Sequence, residues 1–269
     1  MQKKNKEILV RSILTAIIII CGVRQFMLGD YHNVFICILS LFLLGLPRLI
    51  EEKFDLDLPP FLEIIIMLFI FSAEILGEIN AYYQKIPMWD TMLHTINGFL
   101  MAAIGFSLVD VFNRSERFLI KLSPLFVAIV AFCFSMTIGV LWEFFEFGMD
   151  YFFSTDMQKD FFVTAINSTA LHPYGANIPI HVELQSLIVN GEDWITKYGG
   201  YLDIGLIDTI KDLFVNFIGA LVFSFIGYFY VKHRGQNKFA SKFIPTIHRK
   251  DGDAFGNPII QKPTSQTKQ

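Results

Sequence analysis

Runs of apolar residues separated by short polar stretches set the plan of this chain. Each run approaches the length a bilayer demands, roughly 20 residues. Six of them predict transmembrane helices at about 8–28, 34–47, 60–80, 90–112, 122–147 and 207–231. The second is expected to stop at Pro47-Arg48, because proline brings no backbone donor and clashes with the preceding turn. The third opens after Pro59-Pro60, and Glu63 falls in its first turn, where the helix dipole accounts for it. Arg11 and Arg24 interrupt the first run and are expected to snorkel to opposite interfaces.

Two segments break this pattern. Within 151–205, Ile178, Ile180, Val182 and Leu184 alternate with Pro179, His181, Glu183 and Gln185, which is the period of a strand. Asn190-Gly191 then marks a tight hairpin turn. Asn167-Ser168-Thr169 has the form of a glycosylation acceptor, and equally of an ordinary loop tripeptide. Residues 234–269 are polar with glycine and proline breaks, and are expected to form a mobile cytoplasmic tail. The expected fold class is thus an all-α integral membrane protein. Residues 1–233 form a bundle of about six transmembrane helices, with a small extracytoplasmic β-hairpin-containing segment.

Composition agrees with that class. Hydrophobic residues make up 53 % of the chain and charged residues only 17 %. A net charge of -3 excludes a nucleic-acid partner and leaves the lipid bilayer as the first one. Cys21, Cys37 and Cys133 each sit inside an apolar run, lack metal spacing, and read as small buried side chains. Lys3, Lys4 and Lys6, then Arg48 and Lys53, then Arg114, Arg117 and Lys121, and finally the basic tail fall on one side, so both termini are expected in the cytoplasm.

On this topology the ionisable residues collect at one depth. Glu74 and Glu78 lie late in the third helix and Asp90 and His94 early in the fourth. Glu143, Glu146 and Asp150 lie late in the fifth, and Asp208, Asp212 and Asn216 early in the sixth. Within each set the spacing is three or four, which puts each set on one helix face. Carboxylates set in apolar helices are costly and usually face a bundle interior or a wet cavity. Asp90 and Asp208 also stand at helix starts, where each suits an N-cap. Carboxylates with an imidazole and an amide suit Mg²⁺, Mn²⁺, Zn²⁺ or iron. The expected metal ligands are Asp90, His94, Glu143, Asp150, Asp212 and Asn216, with Glu146 and Asp208 as catalytic acid–base groups and no organic cofactor.

The set Asp90-x-x-x-His94-x-x-x-Gly98, Trp142-Glu143-x-x-Glu146-x-x-x-Asp150 and Asp208-Thr209-x-x-Asp212-x-x-x-Asn216-x-x-Gly219-Ala220 resembles the YjdF-like bacterial membrane proteins. That resemblance implies a multi-pass protein of the bacterial cytoplasmic membrane, and no reaction. The same order is more loosely similar to VanZ-like envelope proteins, although Glu146 stands where a glutamine is more usual. Three readings follow. The first is a metal-dependent enzyme acting on a lipid-linked or phosphate-bearing envelope substrate. The second is a proton- or cation-coupled transporter, and the third a non-catalytic assembly factor held together by its polar cluster.

Overall fold

The computed structural model describes residues 2–54, 56–114, 122–233, 239, 242–244 and 246–247. The chain divides into two compact units, Met1–Thr137 with Asn216–Gln269, and Ile138–Val215. Two long helices pass from one unit into the other.

The first unit opens with α1 (Gln2–Leu28) and α2 (Tyr31–Phe54). Contrary to expectation, α2 does not stop at Pro47 but runs seven residues beyond it. A proline inside a helix leaves carbonyls of the preceding turn short of donors. In the same turn, Arg11 Nη1 donates to Leu44 O at 2.9 Å from the neighbouring helix. The same guanidinium donates through Nη2 to Glu63 Oε2 at 3.0 Å and Glu7 Oε1 at 3.2 Å. Glu63, 4 % exposed, is thus an ion-pair partner of Arg11 rather than a helix-dipole residue alone. Replacing Arg11 with methionine keeps the apolar stem and deletes three charge-assisted hydrogen bonds. The expected cost is about 2 kcal/mol, read as a lower thermal midpoint in detergent that Glu63→Gln partly restores.

A two-residue strand, β1 (Leu56–Asp57), leads into α3 (Pro60–Ile70), for which Pro59 is the N-cap and Pro60 the first helical residue. Proline suits that position because its missing donor has no partner there in any case. Beyond Ile70 the helix widens into a π-helical stretch, Phe71–Ile79, which nothing in the apolar pattern announced. Such stretches are rare and leave carbonyls open to outside donors. Trp89 Nε1 reaches Ser72 O at 3.3 Å, and Asn80 closes the end by donating to Ile75 O from both its backbone and its side chain. After the single turn α4 (Tyr82–Lys85) comes α5 (Trp89–Arg114).

α6 (Pro124–Phe153) and α8 (Leu206–Lys232) complete the long helices. Within the first unit α5 and α8 meet almost backbone to backbone, and α6 joins them through side chains. A Cβ on Gly98 would stand 2.1 Å from Asn216 O, and one on Gly219 would stand 2.0 Å from Thr95 O. In lipid, small residues at a crossing are what lets helices pack closely. Ser135 Oγ donates to Gly98 O at 2.7 Å, and the buried Asn216 amide lies between Asn97 Nδ2 (3.4 Å) and Ser135 O (3.5 Å). An apolar layer follows along these helices, with Leu100, Phe106, Val127, Ala131, Ala220 and Phe223 all buried.

The chain beyond α8 was expected to be mobile. At the residues described it is docked. Phe243 is buried edge-on between Phe61 (5.3 Å), Phe99 (5.1 Å) and Phe223 (6.1 Å), and β8 (Thr246–Ile247) pairs antiparallel with β1. The remainder of the expected tail lies outside the described residues.

The second unit carries the strand-bearing segment. β2 (Phe162–Val163) pairs with β7 (Tyr201–Leu202), β3 (Ala165–Ser168) with β4 (Ile180–Glu183), and β5 (Ile188–Val189) with β6 (Glu192–Asp193), all antiparallel. The alternation read from the sequence falls on β4, and Asn190-Gly191 makes the β5–β6 turn. Their φ values of 50° and 86° match the primed turn that hairpins prefer. Asn167 pairs with His181 across β3–β4, and the two side chains bond at 2.8 Å.

Asp193 then caps the short helix α7 (Trp194–Tyr198), accepting from Leu187 N at 2.9 Å, Ile195 N at 3.2 Å and Thr196 Oγ1 at 2.7 Å. The Leu187 amide first, and then the Thr196 hydroxyl, hold its carboxyl below the ordinary value of 3.8. A depressed carboxyl stabilises the fold above its unfolded value and loses that contribution as pH falls through the folded one. The Leu187 and Ile195 amide resonances are therefore expected to titrate together with a midpoint under 3.8. A midpoint above that value contradicts the capping role.

Among the described residues, five helical stretches are long and apolar enough to cross a membrane: Tyr31–Lys53, Pro60–Ile79, Trp89–Val109, Pro124–Phe153 and Leu206–Lys232. The first helix, interrupted by Arg11 and Arg24, is not among them.

Candidate functional site

The residues expected to hold a metal, and Glu146 and Asp208 expected to do acid–base work, divide between the two units. Asp90, His94 and Asn216 belong to the first, and Glu143, Glu146, Asp150, Asp208 and Asp212 to the second.

In the first unit, α5 begins at Trp89, so Asp90 stands in the first turn and is not the N-cap. One turn on, His94 Nε2 lies 3.4 Å from Asp90 Oδ1, an i,i+4 pair. An aspartate beside an imidazole fixes its tautomer and raises its basicity, which is how many metal-binding histidines are held. Asn216 has a different employment. At 1 % exposure it sits in the α5–α6–α8 crossing and its amide faces Asn97, Ser135 and Met136.

In the second unit the carboxylates fall into two groups by what holds them. Asp150 and Asp208 organise the chain that follows α6. Asp150 Oδ1 accepts from Thr155 Oγ1 and Met157 N, both at 2.7 Å, and its Oδ2 accepts from Gln158 N at 2.8 Å. Asp208 Oδ2 accepts from Lys159 N at 2.7 Å, while Gln158 Nε2 reaches Thr209 Oγ1 at 2.7 Å. Asp208 is not an N-cap either. α8 starts at Leu206, and Asp203 supports its first turn by accepting from Ile207 N at 2.8 Å. Asp203 escaped the sequence reading. Its position before Gly205 and a helix start was the available signal.

Glu143, Glu146 and Asp212 form the other group. They are 5 %, 7 % and 2 % exposed, as deep as the apolar core. Glu143 and Glu146 are one turn apart on α6, each presenting a carboxylate oxygen, and these oxygens approach within 4.8 Å of one another. Trp142 Nε1 donates to Glu146 Oε1 at 2.8 Å, which fixes the carboxylate's orientation. Tryptophan has a donor only, so beside a glutamate it is a second-layer support that the motif Trp-Glu-x-x-Glu makes legible.

Charge in this unit is one-sided. It holds eleven aspartates and glutamates against three lysines, a net of −8 with histidines neutral. Lys197 bonds Glu192 at the surface, Lys159 pairs with Asp156 at 3.6 Å, and Lys211 rests over the Phe161 ring at 4.6 Å. Buried carboxylates in such a unit require neutralisation by protons or by a cation.

Length, apolar helices and buried intramembrane carboxylates define a polytopic helical membrane protein. The model of the family described as "Predicted membrane protein (DUF2238)" matches residues 7–233, and the chain belongs to that family. This accords with its resemblance to the YjdF-like membrane proteins. No curated protein and no solved structure matches the chain.

Proposed function

We propose that the second unit binds a divalent cation, Mg²⁺, Mn²⁺ or Zn²⁺, through Glu143 and Glu146. Asp212, in the same unit, is the further ligand proposed. The observation that carries this reading is four carboxylates, Glu143, Glu146, Asp208 and Asp212, each under 8 % exposed in a unit of net charge −8. A divalent cation favours the ionised form of all of them at once, where protonation would need several groups to titrate far from their usual range.

A cation so placed supplies Lewis acidity. It polarises a phosphoryl oxygen or lowers the pKa of a bound water. Glu146, aimed by Trp142, is the proposed general base, with Asp208 as a second proton carrier. The proposed substrate is a lipid-linked or phosphate-bearing envelope molecule, taken from the extracytoplasmic side of a bacterial cytoplasmic membrane, with both chain termini in the cytoplasm.

Transport has less support. It needs polar groups continuing along the helices. Ser107 Oγ and Thr137 Oγ1 turn back onto the carbonyls of Ala103 and Cys133 in their own helices, and Ser135 bonds Gly98 O.

The test is thermal unfolding of purified protein with excess Mg²⁺, Mn²⁺ or Zn²⁺ and after chelation. A midpoint that rises with one of these ions and falls with chelator supports the reading. A midpoint indifferent to all three contradicts it.

A further inference from the structure

A cavity of about 370 Å³ lies in the second unit where α6 ends, away from the Trp142–Glu146 bond. One wall is aromatic. Phe147 and Tyr151, four residues apart on α6, stack with centroids 5.8 Å apart and an interplanar angle of 18°. Phe152 supports Tyr151 edge-on at 5.0 Å. Tyr151 is 71 % exposed, so its ring face is available. Ile204, 83 % exposed, is held opposite in the left-handed backbone region at φ 60°, a conformation a β-branched residue adopts only under constraint. The charged part of the lining is acidic, Asp150, Asp156 and Asp160, beside the neutral Thr155 and Gln158. The Asp150 carboxylate is held in place by the Thr155, Met157 and Gln158 donors. Partial burial, and next the Asp156 and Asp203 charges, push the Asp160 carboxyl up from its ordinary value.

Stacked rings beside carboxylates have a defined chemical preference. Metal ions take oxygen ligands and gain little from a ring face, whereas ammonium groups take both, since the ring quadrupole and the carboxylate attract the same charge. We propose that the cavity at the end of α6 binds an aliphatic ammonium group, with Tyr151 and Phe147 against its methylene or methyl carbons and Asp160 as counter-ion. α6 is one of the stretches able to span a bilayer, and aromatic residues at the end of such a helix belong at the headgroup level. Two sources share this chemistry, an ethanolamine lipid headgroup and a free amine. The inference does not rest on a divalent cation among the buried glutamates, and chelators are expected to leave amine binding unchanged.

The experiment is calorimetric titration of the full chain in neutral detergent with ethanolamine, with short-chain phosphatidylethanolamine, and with phosphatidylglycerol of the same chain length. Amine-bearing ligands are expected to bind and phosphatidylglycerol is not. Tyr151→Leu and Asp160→Asn are each expected to weaken binding about fivefold, the scale of one exposed cation–π contact or one screened charge. Both residues are exposed, so both variants are expected to keep the wild-type unfolding midpoint. Binding of free ethanolamine identifies a soluble amine as sufficient, and binding of the lipid alone identifies the headgroup. Equal binding of phosphatidylglycerol, no binding of either amine, or wild-type affinity in both variants overturns the inference.

Discussion

Gly219→Val is expected to leave little folded protein. The Cβ alone would stand 2.0 Å from Thr95 O and 2.8 Å from Phe99 N, both backbone atoms of α5 that no rotamer change can move. Relief requires α5 and α8 to separate, which opens the Asn97–Asn216 and Asn216–Ser135 contacts and the apolar layer beyond. Overpacking a well-filled core costs about 1–3 kcal/mol where side chains can shift. A backbone clash at a three-helix crossing is placed at or above the top of that range. Against a total stability of about 5–15 kcal/mol, such a loss is severe. The measurement is the monodisperse fraction on gel filtration together with the thermal midpoint. Gly148→Ala on α6 is the control, because a Cβ there meets no described atom within 4 Å. Alanine is the better helix former by up to about 1 kcal/mol, so that variant is expected to match or exceed wild type. If Gly219→Val behaves like Gly148→Ala, the helices do not cross as described.

Glu143→Gln is expected to abolish stabilisation by the divalent cation while leaving a folded protein. The change is isosteric and removes one charge from a site 5 % exposed. An ion at a hundred times its dissociation constant stabilises a protein by about 2.7 kcal/mol, and the variant forfeits that increment. In the absence of metal the variant is expected to be at least as stable as wild type, because a buried charge has been removed. Asp150→Asn provides the contrast. Its oxygens accept three hydrogen bonds from the Thr155–Gln158 segment, one of which an amide nitrogen cannot accept. It is expected to cost roughly 1 kcal/mol of stability with or without metal, read as a lower midpoint, and to retain the cation response. Reversal of these two behaviours contradicts the division of labour among the carboxylates.

How far each of these features was legible beforehand depends on whether its cause is local. Apolar runs and the Asn190-Gly191 turn are local, since hydropathy and positive φ preferences act within a few residues. Five of the six expected spans and the β5–β6 hairpin could therefore be placed from the sequence, though not every helix end. Pro47 misled because a proline inside a helix costs one backbone bond without ending it, and packing against the neighbouring helices, where Arg11 donates to Leu44 O, is not visible in the local sequence. Glu63 misled for the same reason. The widening of α3 at Phe71–Ile79 leaves no mark in hydropathy, since the residues inside it are the same types that fill an ordinary turn.

Among the site residues, spacing placed Glu143 and Glu146 on one face of α6, and burial agrees. It could not separate them from Asp150 and Asp208, whose partners are backbone amides of the loop after α6. Asn216 was read by chemistry as a ligand. Its neighbours Asn97 and Ser135 instead place it in a helix crossing, one that Gly98 and Gly219 make possible.

The central claim is a cation among the buried carboxylates of the second unit, and elemental analysis tests it most directly. Wild-type protein purified without chelator is predicted to carry about one divalent ion per chain by inductively coupled plasma mass spectrometry, and Glu143→Gln substantially less. Folded wild type with no stoichiometric metal, before and after incubation with Mg²⁺, Mn²⁺ and Zn²⁺, would contradict the account.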